Sequence, residues 1–355
     1  MKGNDIETRV RHTSADSHGE VSGRSVRNSS FELLRIVSVL LIIAMHIVGY
    51  VDQTHFSPFN HLVAGGLNIV GNTGVTCFVL ISGYFGVSFK MHKFVSLVVL
   101  SSVYSLLVAY LVFGCDVKEL LKALLIIPRY KLWFIVCYLF LMVLSPYLNR
   151  FSEMLDRKEY TRLMLTLTLL LCVVPSLFAD AGTGSTVLYQ GGKNLTYFLF
   201  IYLLGRYIRK YYDQRYSRRR LIALQLSLLA LQFLLFTLLY YKFNTPYTLF
   251  YDCNILMLMS AVTLFFLFKS FCYHSSIINF VSSSVLAMYV LNGLYVFIDR
   301  TFIHIQQYCS SGFFAACLLA EVLAVALVAI VTDKTLGTLV RKVCERLVQS
   351  LNSRS

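Results

Sequence analysis

Ten long runs of apolar residues dominate this 355-residue chain and restrict what it can fold into. A helix needs ~20 mostly apolar residues to cross the ~30 Å hydrocarbon core of a bilayer. The runs are continuous and lack the alternation of barrel strands, so they predict transmembrane helices. They cover residues 31–51, 62–87, 94–113, 131–148, 163–179, 194–208, 221–241, 250–268, 277–298 and 312–332. The sequence therefore predicts an all-α polytopic membrane helix bundle of about ten transmembrane helices.

The charged residues are few, and their distribution supports this topology. They make up 14% of the chain, against about a quarter of a typical soluble protein. With the N-terminus inside, 24 of the 32 Lys and Arg residues lie in inside segments, 7 lie outside, and Arg35 lies within the first span. Because cytoplasmic loops carry an excess of Lys and Arg, both termini and the basic segment 206–220 are predicted to be cytoplasmic. The net charge of +14 then arises from basic cytoplasmic loops that face anionic lipid headgroups. No nucleic-acid partner is expected.

Composition divides the chain into three segments. Residues 1–30 are polar and contain no apolar run, which predicts a flexible cytoplasmic tail and no cleavable signal peptide. Residues 31–333 form the predicted membrane domain. Residues 334–355 carry apolar residues at helical spacing among basic ones, which predicts an amphipathic cytoplasmic tail on the inner membrane surface.

Several chemistries have no support in the sequence. The nine cysteines include no pair with C-x-x-C spacing, so neither a disulfide framework nor a zinc site is predicted. The chain has no P-loop and no G-x-G-x-x-G motif, which argues against ATP-driven transport and dinucleotide chemistry. The eight histidines show no metal-ligand spacing. We therefore predict no metal and no bound cofactor.

The first span contains two polar residues that are costly in lipid. Arg35 and His46 are eleven positions apart, which puts their side chains on one helix face about 16 Å apart along the axis. Glu32, three residues before Arg35, lies on the same side and is placed to pair with it. Polar residues inside membranes tend to mark function. The alternative makes Arg35 a snorkelling anchor and His46 an interfacial residue, and spacing alone leaves both interpretations open.

Five segments in order resemble one family. FELLRIVSVLLIIAMHIVGY resembles the first-span signature, an Arg, ten residues and a His, of the acyltransferase-three family of integral membrane acyltransferases. GNTGVTCFVLISGYF at 71–85 is similar to its second-span pattern. LWFIVCYLFLMVLSPYLN, YLLGRYI and SSSVLAMYVLNGLY are similar to later family segments. The resemblance covers roughly residues 28–335. It departs at Asn292, where the family often has a His, and an Asn cannot titrate.

The resemblance implies transfer of an acyl group, usually acetyl, from acyl-CoA to a hydroxyl of a glycan or lipid-linked sugar, in the inner cell membrane. Acyl-CoA is then a donor substrate, and membrane lipids are the other expected partner. The candidate catalytic residues are His46 and Arg35. The candidate substrate-binding residues are Glu32, Asn72, Ser82, Trp133 and Asn292. The resemblance implies that Arg35 binds the donor. It implies that His46 either transfers the acceptor proton or forms an acyl-histidine intermediate.

On the sequence alone, two functions from other classes of protein remain open. A transporter or flippase of glycan precursors also suits charges within spans, although the chain shows no paired inverted halves. A glycan polymerase would more often carry a large outer loop, which this sequence lacks. The glycines of the stretch GGLNIVGNTG have two alternative roles: they let the backbone approach an acyl group closely, or they serve ordinary helix packing.

Overall fold

The computed structural model describes residues 28–125, 132–178, 190–214, 216–243 and 251–352. Within these ranges the chain is helical and contains no strand. The predicted N-terminal tail at 1–30 lies almost wholly outside the described residues.

The helices are bounded as follows, with short 3-10 and π segments between some of them. They are α1 (Ser29–Tyr50), α2 (Pro58–Phe85), α3 (Met91–Phe113), α4 (Val117–Leu124), α5 (Trp133–Met154), α6 (Arg157–Thr168), α7 (Val174–Phe178), α8 (Leu195–Tyr211), α9 (Arg218–Phe243), α10 (Ile255–Lys269), α11 (Ser276–Ser282), α12 (Val285–Val290), α13 (Tyr295–Ile298), α14 (Phe314–Thr332) and α15 (Thr338–Asn352).

Eight helical segments in the described ranges are long and apolar enough to cross a membrane. The other two predicted spans coincide with α8, which has 17 residues, and α10, which has 15. The prediction of an all-α polytopic membrane bundle is therefore confirmed. The number of ten crossings stays a prediction, because α8 and α10 are shorter than the ~20 residues a crossing usually needs.

The ninth predicted span is broken into short pieces. The helix α12 ends at a 3-10 turn, Leu291–Leu294, and α13 then runs into a π segment, Asp299–Ile303. Short 3-10 stretches within a helix often mark a functional position. Here the 3-10 turn carries Asn292, the residue at which the sequence departs from the family pattern.

Glycines let α2 lie close to α1 on one side and to α8 on the other. A Cβ on Gly74 would come within 2.9 Å of the Ser38 carbonyl oxygen on α1. A Cβ on Gly205 of α8 would come within 2.6 Å of the Leu80 carbonyl oxygen, and one on Gly83 would collide with Tyr202. Gly74, the last residue of the Gly-rich stretch, thus serves helix packing through small residues.

A polar cluster joins α2, α8 and α10 at the end of the bundle that carries Arg35. The Asp213 carboxylate accepts from Tyr84, and it pairs with Arg209 and Lys269 at 2.9 Å each. Burial raises the pKa of Asp213, but the hydrogen bonds from Tyr84 and Lys269 and the neighbouring positive charges outweigh burial and hold that pKa below its ordinary value. This end of the bundle therefore carries fixed charges, as expected of a membrane–water boundary.

Two native cysteines make the predicted topology testable. Cys115 and Cys272 are exposed and lie on loops predicted to face opposite sides of the membrane. In intact cells, an impermeant maleimide added outside should label a variant that keeps only Cys115. It should label a variant that keeps only Cys272, or a cysteine-free variant with Arg219→Cys, only after permeabilisation. Labelling of position 219 from outside intact cells would contradict the topology.

Candidate active site

The helix α1 presents Arg35 and His46 on one side of the bundle. Asn28 caps its first turn, because the Asn28 side chain accepts a hydrogen bond of 3.1 Å from the Ser30 backbone N–H. The helix then runs unbroken from Ser29 to Tyr50. Eleven residues of regular helix separate the two side chains by about 16 Å along the axis, as the sequence predicts.

Arg35 is held by a buried carboxylate. Its Nη1 donates to Glu32 Oε1 at 2.8 Å, and the Ser282 hydroxyl donates to Glu32 Oε2 at 2.6 Å. The Glu32 residue is 4% exposed, whereas the Arg35 side chain keeps 24% of its surface exposed. The predicted pair therefore forms, and Glu32 orients the guanidinium while leaving part of it open to a ligand.

Arg35 lines a cavity of about 540 Å³ that we call the Arg35 cavity. Its polar wall comes from α1, α2, the start of α3 and α15. The side chains in that wall are Arg35, Ser82, Ser88, His92, Lys93, Ser96, Arg341 and Glu345. The predicted substrate residue Ser82 thus lies beside Arg35, although its hydroxyl also donates to the Phe78 carbonyl at 2.9 Å.

A smaller cavity with mostly apolar walls adjoins the Arg35 cavity, and we call it the apolar passage. The passage measures about 300 Å³ and shares Arg35, Ser82, Leu97, Tyr138 and Leu286 with the cavity. Its inner walls reach Ile42 and Tyr289. Ile42 precedes His46 by four residues, which is about 6 Å along α1. The passage therefore leads from Arg35 to within about one helical turn of His46.

His46 lines a second cavity, of about 790 Å³, that we call the His46 cavity. Its walls combine amides, aromatic rings and one Lys. They are formed by Met45, His46, Gly49, Tyr50, Gln53, His61, Gly65, Asn68, Asn72, Lys193, Phe236, Tyr240 and Tyr295. The predicted substrate residue Asn72 is among them, with its Nδ2 donating to the Asn68 carbonyl at 2.9 Å. A large cavity with aromatic walls and a few polar groups is typical of a small-molecule site.

Asn292 reaches His46 directly. Its Nδ2 lies 3.2 Å from His46 Nδ1. With the amide nitrogen against the ring, Nδ1 accepts and Nε2 carries the proton. With the amide turned over, Nδ1–H donates to Oδ1 and Nε2 keeps a free lone pair. In both states Asn292 engages Nδ1 and leaves Nε2 as the nitrogen that meets a substrate.

Substitution of Asn292 tests this contact. Asn292→His should keep much of the activity, since an imidazole offers similar hydrogen bonding to His46. Asn292→Leu removes a hydrogen bond worth about 1 kcal/mol, so the rate should fall roughly fivefold or more. Rates of the three proteins should be compared at equal amounts of inserted protein. Equal activity in all three would show that this contact has no functional role.

Trp133, a candidate substrate-binding residue, and two buried carboxylates lie apart from these cavities. Trp133 packs edge-on against Phe134 and Phe198, with ring centroids 6.2 and 5.7 Å away, and lines none of the cavities described above. Its role in substrate binding stays a prediction. Glu321 and Asp252 are 0% and 1% exposed, and their carboxylate oxygens have no hydrogen-bond partner within the described chain.

The structure also adds residues that sequence reasoning missed. His92, Lys93 and Arg341 line the Arg35 cavity, and Lys193 lines the His46 cavity. Their signal in the sequence was positive charge alone, which the topology already explained. The position of Arg341 depends on how α15 packs against α3, and the sequence carries no pattern for that packing.

Comparison with known proteins identifies the family. A family model described as an acyltransferase domain, that of the acyltransferase-three family, matches residues 28–332. The chain belongs to the acyltransferase-three family. As a member of that family it is a multi-pass membrane acyltransferase. No curated protein and no solved structure matches the chain.

Proposed function

We propose that this acyltransferase moves an acetyl group from acyl-CoA to a hydroxyl of a glycan or lipid-linked sugar. The observation that supports this most is the pair of cavities on one helix. Arg35 in the first cavity and His46 in the second lie about 16 Å apart along α1, and the apolar passage adjoins the Arg35 cavity and reaches Ile42, about one helical turn before His46.

The Arg35 cavity suits the donor. Coenzyme A carries anionic phosphates and a thin pantetheine arm that ends in the thioester. Arg35 and Lys93 line this cavity and give it positive charge that suits an anionic donor. The apolar passage has room for the arm and ends near His46. Acyl-CoA is cytoplasmic, which agrees with the predicted topology of the Arg35 end in the inner membrane.

The His46 cavity suits a saccharide acceptor. Tyr50, Tyr240 and Tyr295 present aromatic surface to the C–H faces of a sugar ring. Gln53, Asn72 and their neighbouring amides offer hydrogen bonds to hydroxyl groups. A glycan or lipid-linked sugar on the far side of the membrane would enter here and present one hydroxyl to His46.

The proposed reaction uses His46 as the base. In the state in which Nδ1–H donates to Asn292 Oδ1, the Nε2 lone pair takes the acceptor hydroxyl proton as the oxygen attacks the thioester carbonyl carbon, which gives a tetrahedral intermediate. Collapse of this intermediate breaks the carbon–sulfur bond, and the proton on His46 passes to the departing thiolate. The products are an O-acyl ester and free coenzyme A. Asn292 keeps the imidazole oriented throughout.

Glycan analysis in cells tests this function. Surface glycans from cells with and without the protein should be compared by mass spectrometry, before and after mild base, which removes O-acetyl esters. The proposal expects base-labile acetyl groups that require the protein. The protein with His46→Ala serves as a matched control at equal membrane abundance. Identical acetylation in cells with and without the protein would contradict the proposal.

A further inference from the structure

The C-terminal helix α15 is fixed to the membrane bundle by one buried carboxylate. Asp333, which is 2% exposed, accepts hydrogen bonds of 2.9 Å from the Tyr104 hydroxyl and 2.8 Å from the Ser284 hydroxyl. Arg341 Nη1 donates to Asp333 Oδ1 at 2.8 Å, and its Nη2 donates to the Asp333 carbonyl at 3.1 Å. These bonds join α3, the segment before α12, and α15. The Arg341 guanidinium is therefore held at two points.

The backbone is adapted to this cluster. Asp333 begins a π segment, Asp333–Gly337, between α14 and α15. A Cβ on Gly337 would collide with the Tyr104 hydroxyl and lie 2.7 Å from Asp333 Oδ1. A glycine at this position thus gives Tyr104 and Asp333 the space to meet. Extra residues of this π type within helices occur frequently at functional sites.

Arg341 also faces the Arg35 cavity while it is held by Asp333. Its side chain keeps 36% of its surface exposed. Lys93 and His92 of α3 line the same cavity and form no ion pair within the described residues. Glu345, one turn after Arg341, is the acidic side chain in that lining. Besides Arg35, the cavity lining therefore combines one preoriented guanidinium with an unpaired Lys and a His, a combination suited to phosphate groups.

We propose that Arg341 binds the phosphate groups of the acyl donor, so that the C-terminal helix forms part of the donor site. This inference rests on the proposed function, which supplies a phosphate-bearing thioester as the donor. Arg341 and Lys93 hold the nucleotide phosphates, and Arg35, which lines both the cavity and the passage, lies where the pantetheine arm enters the passage. Asp333, Tyr104 and Ser284 are positioning residues, because they act through Arg341.

Direct binding measurements distinguish donor binding by Arg341 from a role in catalysis. The full-length protein in nanodiscs of neutral phosphatidylcholine should be titrated with coenzyme A and, separately, with pantetheine, which carries no phosphate. Arg341→Gln keeps a hydrogen-bond donor for Asp333 and removes the positive charge. It should weaken coenzyme A binding about tenfold or more, as expected for a lost charge-assisted contact, and leave pantetheine binding unchanged. Arg346→Ala, on the same helix but outside the cavity lining, should bind both as the native protein does.

Two outcomes would overturn the inference that Arg341 binds the donor phosphates. One is unchanged coenzyme A affinity in Arg341→Gln, which would leave Arg341 as a ligand of anionic lipid headgroups or a structural residue. A second is equal weakening of coenzyme A and pantetheine binding, which would show general damage. If coenzyme A binding requires Arg341 but no acetyl reaches a glycan, this inference holds and the proposed function fails. The double variant Asp333→Asn with Arg341→Gln leaves no unpaired buried charge. It should bind coenzyme A and pantetheine as Arg341→Gln does.

Discussion

Replacing His46 with Ala is expected to abolish measurable acyl transfer while leaving acyl-CoA binding nearly intact. The imidazole lies in the His46 cavity, about 16 Å along α1 from Arg35. Removal of a general base typically lowers the rate ~10²–10⁴-fold. The proposed phosphate site lies at the other end of the passage, so donor contacts there should be unaffected. Donor binding and single-turnover transfer should be measured on the same preparation.

His61 provides a matched control for this substitution. It lines the same cavity, where it packs against Tyr240 with ring centroids 4.3 Å apart. It has no contact with Asn292 among the described residues. His61→Ala should therefore retain most of the transfer rate, with any loss appearing in acceptor affinity. Transfer at the parental rate by His46→Ala would show that the mechanism is wrong.

Arg35→Ala is expected to weaken acyl-CoA binding as well as turnover. The substitution removes a charge-assisted contact to the donor worth about 1.5–3 kcal/mol. Arg35→Lys should restore binding only in part, because an ammonium lacks the planar fork of the guanidinium. Binding of acyl-CoA and the turnover rate should be measured for both variants.

A folding control is needed for Arg35, since its partner Glu32 is buried. Removing only the Arg leaves an uncompensated buried carboxylate, which destabilises proteins strongly. The double substitution Glu32→Gln with Arg35→Gln removes both charges and keeps polar groups of similar shape. It should insert at normal levels and still bind acyl-CoA weakly. Normal binding by this pair or by Arg35→Ala would make Arg35 a structural anchor and place the donor elsewhere.

Contacts within one helix were predictable from the sequence. The pairing of Glu32 with Arg35 and the shared face of Arg35 and His46 follow from helical spacing alone. The all-α membrane fold follows from the length and continuity of the apolar runs. In these cases the geometry is local, so no knowledge of tertiary packing is required.

Contacts between distant segments were not predictable in the same way. Asn292 meets His46 because the ninth segment breaks into a 3-10 turn beside α1. Arg341 reaches the Arg35 cavity because α15 continues the helical run of α14 through the π segment and packs along α3. Gly74 and Gly83 lie where α2 crosses α1 and α8, and a larger side chain would not fit there. Each depends on packing that hydropathy does not encode.

The most direct test of the account follows acetyl from donor to acceptor in a defined system. Proteoliposomes containing only this protein should receive radiolabelled acetyl-CoA on the Arg35 side and a glycan acceptor on the His46 side. The account predicts donor-dependent label in the glycan and release of free coenzyme A in equal amount, with neither in His46→Ala. Movement of the sugar across the bilayer without donor, and with no label in the glycan, would contradict it and favour a transporter.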